Sequence, residues 1–132
     1  MESDPPTRAE VEAWWRDVLA GTVTREAAHD WAEPLMFAEY EPDAKPDVLA
    51  MSGVQYLHGF DLTSEDAEHR FLAHGLPGYY LKTMADIEAD LDRWLANCRE
   101  YNADPNGWLA RVRARARRHD GGSDSAGSPS TT

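Results

Sequence analysis

Histidine is the residue type in this chain that most readily suggests chemistry, because neutral imidazole is the commonest protein ligand for a transition metal. Three of the five histidines, His58, His69 and His74, lie near Asp61 along the chain and could together supply a zinc site. However, no two histidines stand four residues apart on a predicted helix, and no cysteine pair accompanies them. We therefore expect no metal ion and no other cofactor, and we interpret these histidines as surface or half-buried residues.

Two carboxylate pairs, Asp86 with Asp90 and Glu88 with Asp92, have the spacing that places side chains together on a helix. Catalytic carboxylates usually face each other across a cleft, in environments that drive their pKa values apart. These four lie instead on the two solvent edges of one predicted helix. They are interpreted as a solvated acidic face.

Nucleophilic catalysis finds little support in the sequence. There is no Gly-x-Ser-x-Gly elbow, and no glycine-rich phosphate loop follows a predicted strand. The single cysteine, Cys98, falls on the apolar side of a predicted helix and is expected to be buried, which makes a thiol unreactive. We expect a protein that is not an enzyme, with an unrecognised small enzyme as an alternative.

The predicted helix that carries these carboxylates and Cys98, residues 84–101, is the best-specified element of the chain. Thr83 and Asp86 form a capping pair at its start. Its apolar residues fall in an arc of about 120°, the width of a core-facing stripe. They are Met84, Ile87, Leu91, Trp94, Leu95, Cys98 and Tyr101. The rest of the fold is expected to pack around this helix.

Two helices are predicted near the start of the chain. A capping box at Thr7 and Glu10 and a glycine stop at Gly21 predict a helix over about 8–20. Thr24 begins a second helix, which Pro34 should kink or end near Ala32, because proline lacks the backbone N–H and clashes with the preceding turn.

Two further helices follow in the sequence. Asp47 caps a helix over Val48–His58, in which Gly53 costs about 1 kcal/mol unless a neighbour packs close to it. Asp104 and Pro105 open the last helix, the favoured order at a helix start. This helix carries Arg111, Arg113, Arg115, Arg117 and Arg118. It is expected either to dock on the acidic body or to bind an anion.

The segment between these helices is predicted to be less regular. Residues 63–69 are polar and are expected to form a loop or single turn. Residues 70–74 and 79–82 are short, partly aromatic runs that could form a small β-hairpin or an irregular loop. The fold class is therefore mainly α, with four or five helices and a minor β-hairpin near 70–82. The expected organisation is a disordered N-terminus at 1–6, one helical domain at 7–118 and a disordered polar tail at 119–132.

Charge is the most unusual bulk property of the chain. Residues 1–104 carry 22 acidic and 8 basic side chains, a formal charge of −14, and residues 105–132 carry +3. Such a body repels nucleic acid and anionic membranes and favours a basic protein partner, although acidity can also serve solubility alone. Without a basic, apolar leader or a long apolar run, the protein is expected to be cytoplasmic.

The opening residues Val11–Glu26 form a helix, a glycine stop and a Val-Thr-x-Glu start to the next helix. In this pattern the chain resembles small helical bacterial immunity proteins of the colicin D immunity group. The resemblance implies a small, acidic, mostly helical, non-enzymatic protein that blocks the active site of a basic nuclease toxin.

The leading hypothesis is thus a non-catalytic acidic protein that binds a basic protein, with an immunity-type inhibitor of a nuclease toxin as one form. The alternative is a regulatory or structural interaction module, for example a homodimer joined through aromatic surface. Partner contacts are expected from the exposed acidic residues Asp86, Asp90, Glu88, Asp92, Glu65, Asp66 and Glu68.

Overall fold

The computed structural model describes residues 4–64, 72–74 and 78–127, without the side chains of Leu72 and of residues 119–127. Within this part of the chain the fold is mainly α, as predicted, with a small antiparallel sheet. The elements are α1 (Arg8–Ala20), α2 (Arg25–Phe37), α3 (Val48–Gly59), β1 (Leu62–Ser64), β2 (Leu72–His74), β3 (Tyr79–Tyr80), α4 (Met84–Ala103) and α5 (Pro105–Gly127). They form two compact units, Met1–Trp94 and Leu95–Thr132.

Helix α1 begins and ends where the sequence predicts. Thr7 and Glu10 form the predicted capping box, and Gly21 adopts the left-handed conformation, with φ of 78°, that glycine tolerates at a helix end. The buried side of α1 includes Trp15, whose indole N–H donates to the Ile87 carbonyl of α4 at 3.0 Å. This bond gives the indole a partner inside the core of the first unit.

The sequence predicts that Pro34 kinks helix α2 or ends it near Ala32, and the structure excludes an end at this position. The helix continues through Pro34 to Phe37. Its buried residues, Ala28 and Ala32 among them, form a side that packs against α3. Tyr40 donates its hydroxyl to the Leu35 carbonyl at 2.8 Å, satisfying one carbonyl of the last turn. Packing and this bond offset the local penalty of proline.

Helices α1, α3 and α4 meet closely at Gly53 on α3. A Cβ atom added there would collide with the Val11 side chain of α1 and lie 3.1 Å from the Trp94 ring of α4. The Trp94 indole N–H donates to the Leu49 carbonyl at 2.8 Å. The sequence predicts that a glycine at position 53 is favourable only if a neighbour packs close to it. The structure confirms such a neighbour.

The sheet is three-stranded, with β1 in the middle and order β2-β1-β3. Strands β2 and β3 lie within the two runs for which the sequence allows a small β-hairpin or an irregular loop. They do not pair with each other as in that hairpin, and each pairs antiparallel with β1. The prediction of a loop beginning at Thr63 is wrong, because Thr63 and Ser64 belong to β1 and are buried. The sequence did not indicate this strand, because two of its three residues, Thr63 and Ser64, are polar. Residues 65–69 of the predicted loop, and residues 75–77 between the two runs, lie outside the described residues.

The second unit comprises the end of α4 and α5. Asp104 accepts a hydrogen bond from the Gly107 N–H at 3.0 Å and so caps α5 as predicted. Trp108 is buried, and its indole N–H donates to Asn97 at 3.3 Å. Cys98 is buried, as expected. The five arginines of α5 are exposed. The backbone of α5 is helical to Gly127. The disordered polar tail expected at 119–132 is not tested and stays a prediction.

Candidate functional site

The carboxylates predicted to contact a partner separate into two environments on α4. Asp86, Glu88 and Asp92 are exposed. Asp90 is only 4% exposed, and the expectation that it forms part of the open acidic face is wrong. Its carboxylate pairs with Lys82 at 2.5 Å and with Arg93, so its charge is neutralised within the fold. Glu65, Asp66 and Glu68 lie outside the described residues.

Asp86 also caps α4. Its carboxylate accepts a hydrogen bond from the Thr83 N–H at 3.0 Å, and the Thr83 hydroxyl accepts one from the Asp86 N–H at 3.1 Å. The bond from the Thr83 backbone holds the pKa of Asp86 below its usual 3.8. At neutral pH this exposed group is therefore a fixed negative charge next to the β3–α4 connection.

Four exposed apolar side chains, which we call the aromatic surface, lie along β3 and the start of α4. They are Tyr79, Tyr80, Leu81 and Met84. Tyr79 is 58% exposed, and Met84, predicted on the buried stripe of α4, is 46% exposed instead. Met84 is in the first turn, where its helix has not yet reached the core. Bulky apolar side chains that are each exposed within so short a stretch of chain are typical of protein-binding surfaces.

The first turn of α2 holds this surface in place. The buried Arg25 donates from Nη1 to the Lys82 carbonyl at 2.6 Å and to the Phe60 carbonyl at 3.3 Å. Its guanidinium lies 4.0 Å from the Tyr80 ring centroid. Burial lowers the pKa of Arg25 from its usual value. Its cation–π contact and hydrogen bonds explain why a charged group is retained inside the unit.

The Tyr80 hydroxyl completes this arrangement by donating to the Glu26 carboxylate at 2.9 Å. That hydrogen bond raises the pKa of Tyr80 above its usual 10.0, so the phenol stays protonated and remains a donor. The Thr24–Glu26 start of α2, part of the pattern that resembles the immunity proteins, thus positions an exposed tyrosine 54 residues away in sequence.

A pocket of about 370 Å³ opens beside the aromatic surface. Its lining comprises Ser52, Gln55, Tyr56, Gly59, Leu62, Leu81 and Lys82. Of these described residues only Lys82 is charged, and its ammonium is paired with Asp90 and lies 4.9 Å from the Tyr56 ring centroid. The pocket is therefore suited to an apolar side chain with a few polar contacts rather than to acid–base chemistry.

The sequence did not indicate the aromatic surface, because residues 79–82 are predicted to form part of a small β-hairpin or an irregular loop. One signal was present. Three consecutive bulky residues, Tyr79, Tyr80 and Leu81, cannot all point to one face of a strand, because side chains alternate along it. At least one had to face away from the core. Which one, and whether solvent or protein covered it, depends on the tertiary structure.

The structure also brings His58 and His74 together, and it adds His29, which sequence reasoning did not single out. One ring nitrogen from each of the three lies within 4.8 Å of the others. Asp61, the carboxylate noted near these histidines in the sequence, is 2% exposed and contacts His74. His69 lies outside the described residues.

Comparison with known proteins adds no relative: no family model matches the chain, and neither the curated proteins nor the solved structures gave a significant match. Among the described residues, no helix combines the length and the apolar character needed to cross a lipid bilayer.

Proposed function

We propose that this chain is a non-catalytic acidic protein that binds a basic protein partner through the aromatic surface and the pocket beside it. The observation that carries this proposal is the run Tyr79–Leu81, exposed on a unit whose charge is strongly negative. Hot spots of protein interfaces are enriched in tyrosine and surrounded by a polar rim. Here the rim includes the exposed carboxylates Asp86 and Glu88.

Charge supports a basic partner over other classes. The formal charge of −14 on residues 1–104 speeds encounter with a positively charged surface and opposes contact with nucleic acid. It also opposes close approach of two copies of this chain. A basic protein presenting an apolar side chain to the pocket satisfies both features of the site.

The particular form we propose is an immunity-type inhibitor of a basic nuclease toxin, in the cytoplasm of a bacterium. Carboxylates of such an inhibitor stand in for substrate phosphates in the basic cleft of the enzyme. Two features support this form: the resemblance at Val11–Glu26 and the role of Arg25 and Glu26 in holding Tyr80.

Site-specific photocrosslinking in the native cell tests the proposal. Leu81 is replaced by the photoreactive residue p-benzoylphenylalanine, and Phe37, the similarly exposed aromatic at the end of α2, is replaced in a matched control. Irradiation is expected to join the variant at Leu81, but not the one at Phe37, to one basic protein. In a second experiment the same variant is irradiated in a cell lysate. The yield of crosslinked product should fall as the salt concentration is raised, because electrostatic attraction drives the encounter.

Three results would contradict the proposal. A crosslinked product of twice the chain mass would make this surface a homodimer interface. Equal capture by the variants at Leu81 and Phe37 would show that the aromatic surface is not the contact. Capture of an acidic protein, or of none, would remove the electrostatic argument.

A further inference from the structure

Three histidine rings from three elements converge on the side of the first unit formed by α2, α3 and β2. His29 is in mid-α2, His58 in the last turn of α3 and His74 at the end of β2. Their ring centroids lie 4.4 to 4.6 Å apart. This cluster shares no residue with the aromatic surface or its pocket.

Hydrogen bonds fix the orientation of two of these rings. His29 Nδ1 lies 3.0 Å from the His58 carbonyl oxygen, and His74 Nδ1 lies 2.6 Å from Asp61 Oδ1. A carbonyl or carboxylate oxygen only accepts, so Nδ1 carries the hydrogen in both rings. In the neutral form, the lone pair of each ring is then on Nε2. Metal-binding histidines have this arrangement, with the other nitrogen donating to a carbonyl or carboxylate.

The Nε2 atoms of two rings face one carboxylate oxygen. Oε1 of Glu33 lies 3.4 Å from His29 Nε2 and 3.3 Å from His58 Nε2. For His29, whose hydrogen is on Nδ1, this contact sets a lone pair against a negatively charged oxygen. Two acceptors at this distance repel each other unless a cation, either a proton or a metal ion, lies between them.

We propose that His29, His58 and His74 bind one divalent zinc-type ion, with the Glu33 carboxylate as a fourth ligand. Zinc bonds of about 2.0–2.1 Å in a tetrahedron place neighbouring ligand atoms about 3.3 Å apart. The contacts of Glu33 with His29 and His58 already have this length, whereas the imidazole nitrogens, which lie within 4.8 Å of one another, must approach by up to about 1.5 Å.

The ligand set selects the class of metal. Imidazole nitrogens suit zinc, cobalt, nickel and copper, whereas calcium and magnesium prefer sites made wholly of oxygen. Four protein ligands close the coordination shell, as in structural zinc sites. The ion joins α2, α3 and β2, three elements that the chain otherwise brings together by packing and hydrogen bonds. This inference does not depend on the proposed function.

The test uses the full chain, freed of metal with a chelator and titrated with zinc alone by calorimetry. We expect one equivalent to bind and Tm to rise. Cobalt alone should give the intense visible bands of a tetrahedral ion. His74→Ala is the main variant, because His74 has the most exposed side chain of the three histidines. It should weaken zinc binding at least about 100-fold, and Asp61→Asn about 10- to 100-fold. His119→Ala, which removes a histidine of α5, should bind as the wild type does.

Folding of each metal-free variant is checked by circular dichroism. If His74→Ala does not fold, Glu33→Gln, which changes a side chain that is 52% exposed, replaces it and should weaken binding and alter the cobalt spectrum. Zinc affinity equal in wild type and the folded variant would overturn the site. So would an octahedral cobalt spectrum, or equal stabilisation by magnesium.

Discussion

At the scale of single residues, Asp90 shows how a charge serves the fold instead of a partner. It stands on the same helix as the exposed Asp86 and Asp92, but its carboxylate is buried between Lys82 and Arg93. Lys82 also contributes its backbone carbonyl to the buried Arg25. Asp90 therefore anchors the connection that presents the aromatic surface.

Replacing Asp90 with Asn should lower the free energy of unfolding by about 2 kcal/mol, because the Lys82 ammonium would lose its ionic partner in a partly buried place. Urea unfolding at neutral pH measures the change. Asp92→Asn, at an exposed site on the same helix, is the control and should stay within about 0.5 kcal/mol of the wild type. Equal effects of the two substitutions would show that the pair with Lys82 adds nothing to stability.

Among the elements, the packing of α1, α3 and α4 depends on a missing side chain. Gly53 lets the Val11 side chain and the Trp94 ring approach the α3 backbone, and Trp94 then donates to the Leu49 carbonyl of that helix. The helix propensity lost at a mid-helix glycine is about 1 kcal/mol. This cost is smaller than the packing free energy of the contacts that the glycine permits.

Gly53→Ala should therefore destabilise the protein by about 1–3 kcal/mol in spite of the better helix propensity of alanine, since overpacking displaces Val11 and Trp94. The matched control is Gly59→Ala at the end of α3, where an added Cβ meets only Leu62 at an ordinary 3.6 Å. That variant should be neutral or slightly more stable. Thermal unfolding followed at the tryptophan bands measures both, and a stabilised Gly53→Ala would refute the close approach.

At the scale of the whole molecule, lowering the pH has two opposing effects on stability, because the chain has an excess of carboxylates. Protonation relieves repulsion within a chain of net charge −11, but it also removes carboxylates that hold the fold. Asp47 is one of these. It caps α3 at the Ala50 N–H and binds Arg8 of α1 through two hydrogen bonds, of 2.8 and 3.0 Å.

The Arg8 hydrogen bond holds the pKa of Asp47 below its usual 3.8. Because the folded pKa is below the unfolded one, Asp47 stabilises the fold above about pH 4 and loses this effect as pH falls through the folded pKa. Asp47→Asn keeps a capping side chain but cannot titrate. Wild type should be the more stable at about pH 6, and the difference should shrink by about pH 3.

Urea unfolding of both proteins across this range isolates the contribution of Asp47 from the general relief of repulsion, which both share. Asp43→Asn, at an exposed loop position, is the control and should follow the wild type at each pH. A constant difference between wild type and Asp47→Asn would show that the Arg8 pair does not depend on ionisation.

The sequence by itself determined the helices and most of their ends. Capping at Thr7, Asp47 and Asp104 is a local property, set by side chains within a few residues of the backbone groups they satisfy. The buried stripe of α4 was likewise readable from spacing, apart from Met84, which is exposed, and Leu95 and Tyr101, which are half-buried.

Only the tertiary structure decided which side chains meet across long stretches of chain. It carried α2 through Pro34, placed polar β1 at the centre of the sheet, buried Asp90 and brought His29 to His58 and His74. These outcomes depend on contacts between residues far apart in sequence, whose energies exceed local preferences. No spacing along one element could reveal them, because the partners belong to different elements.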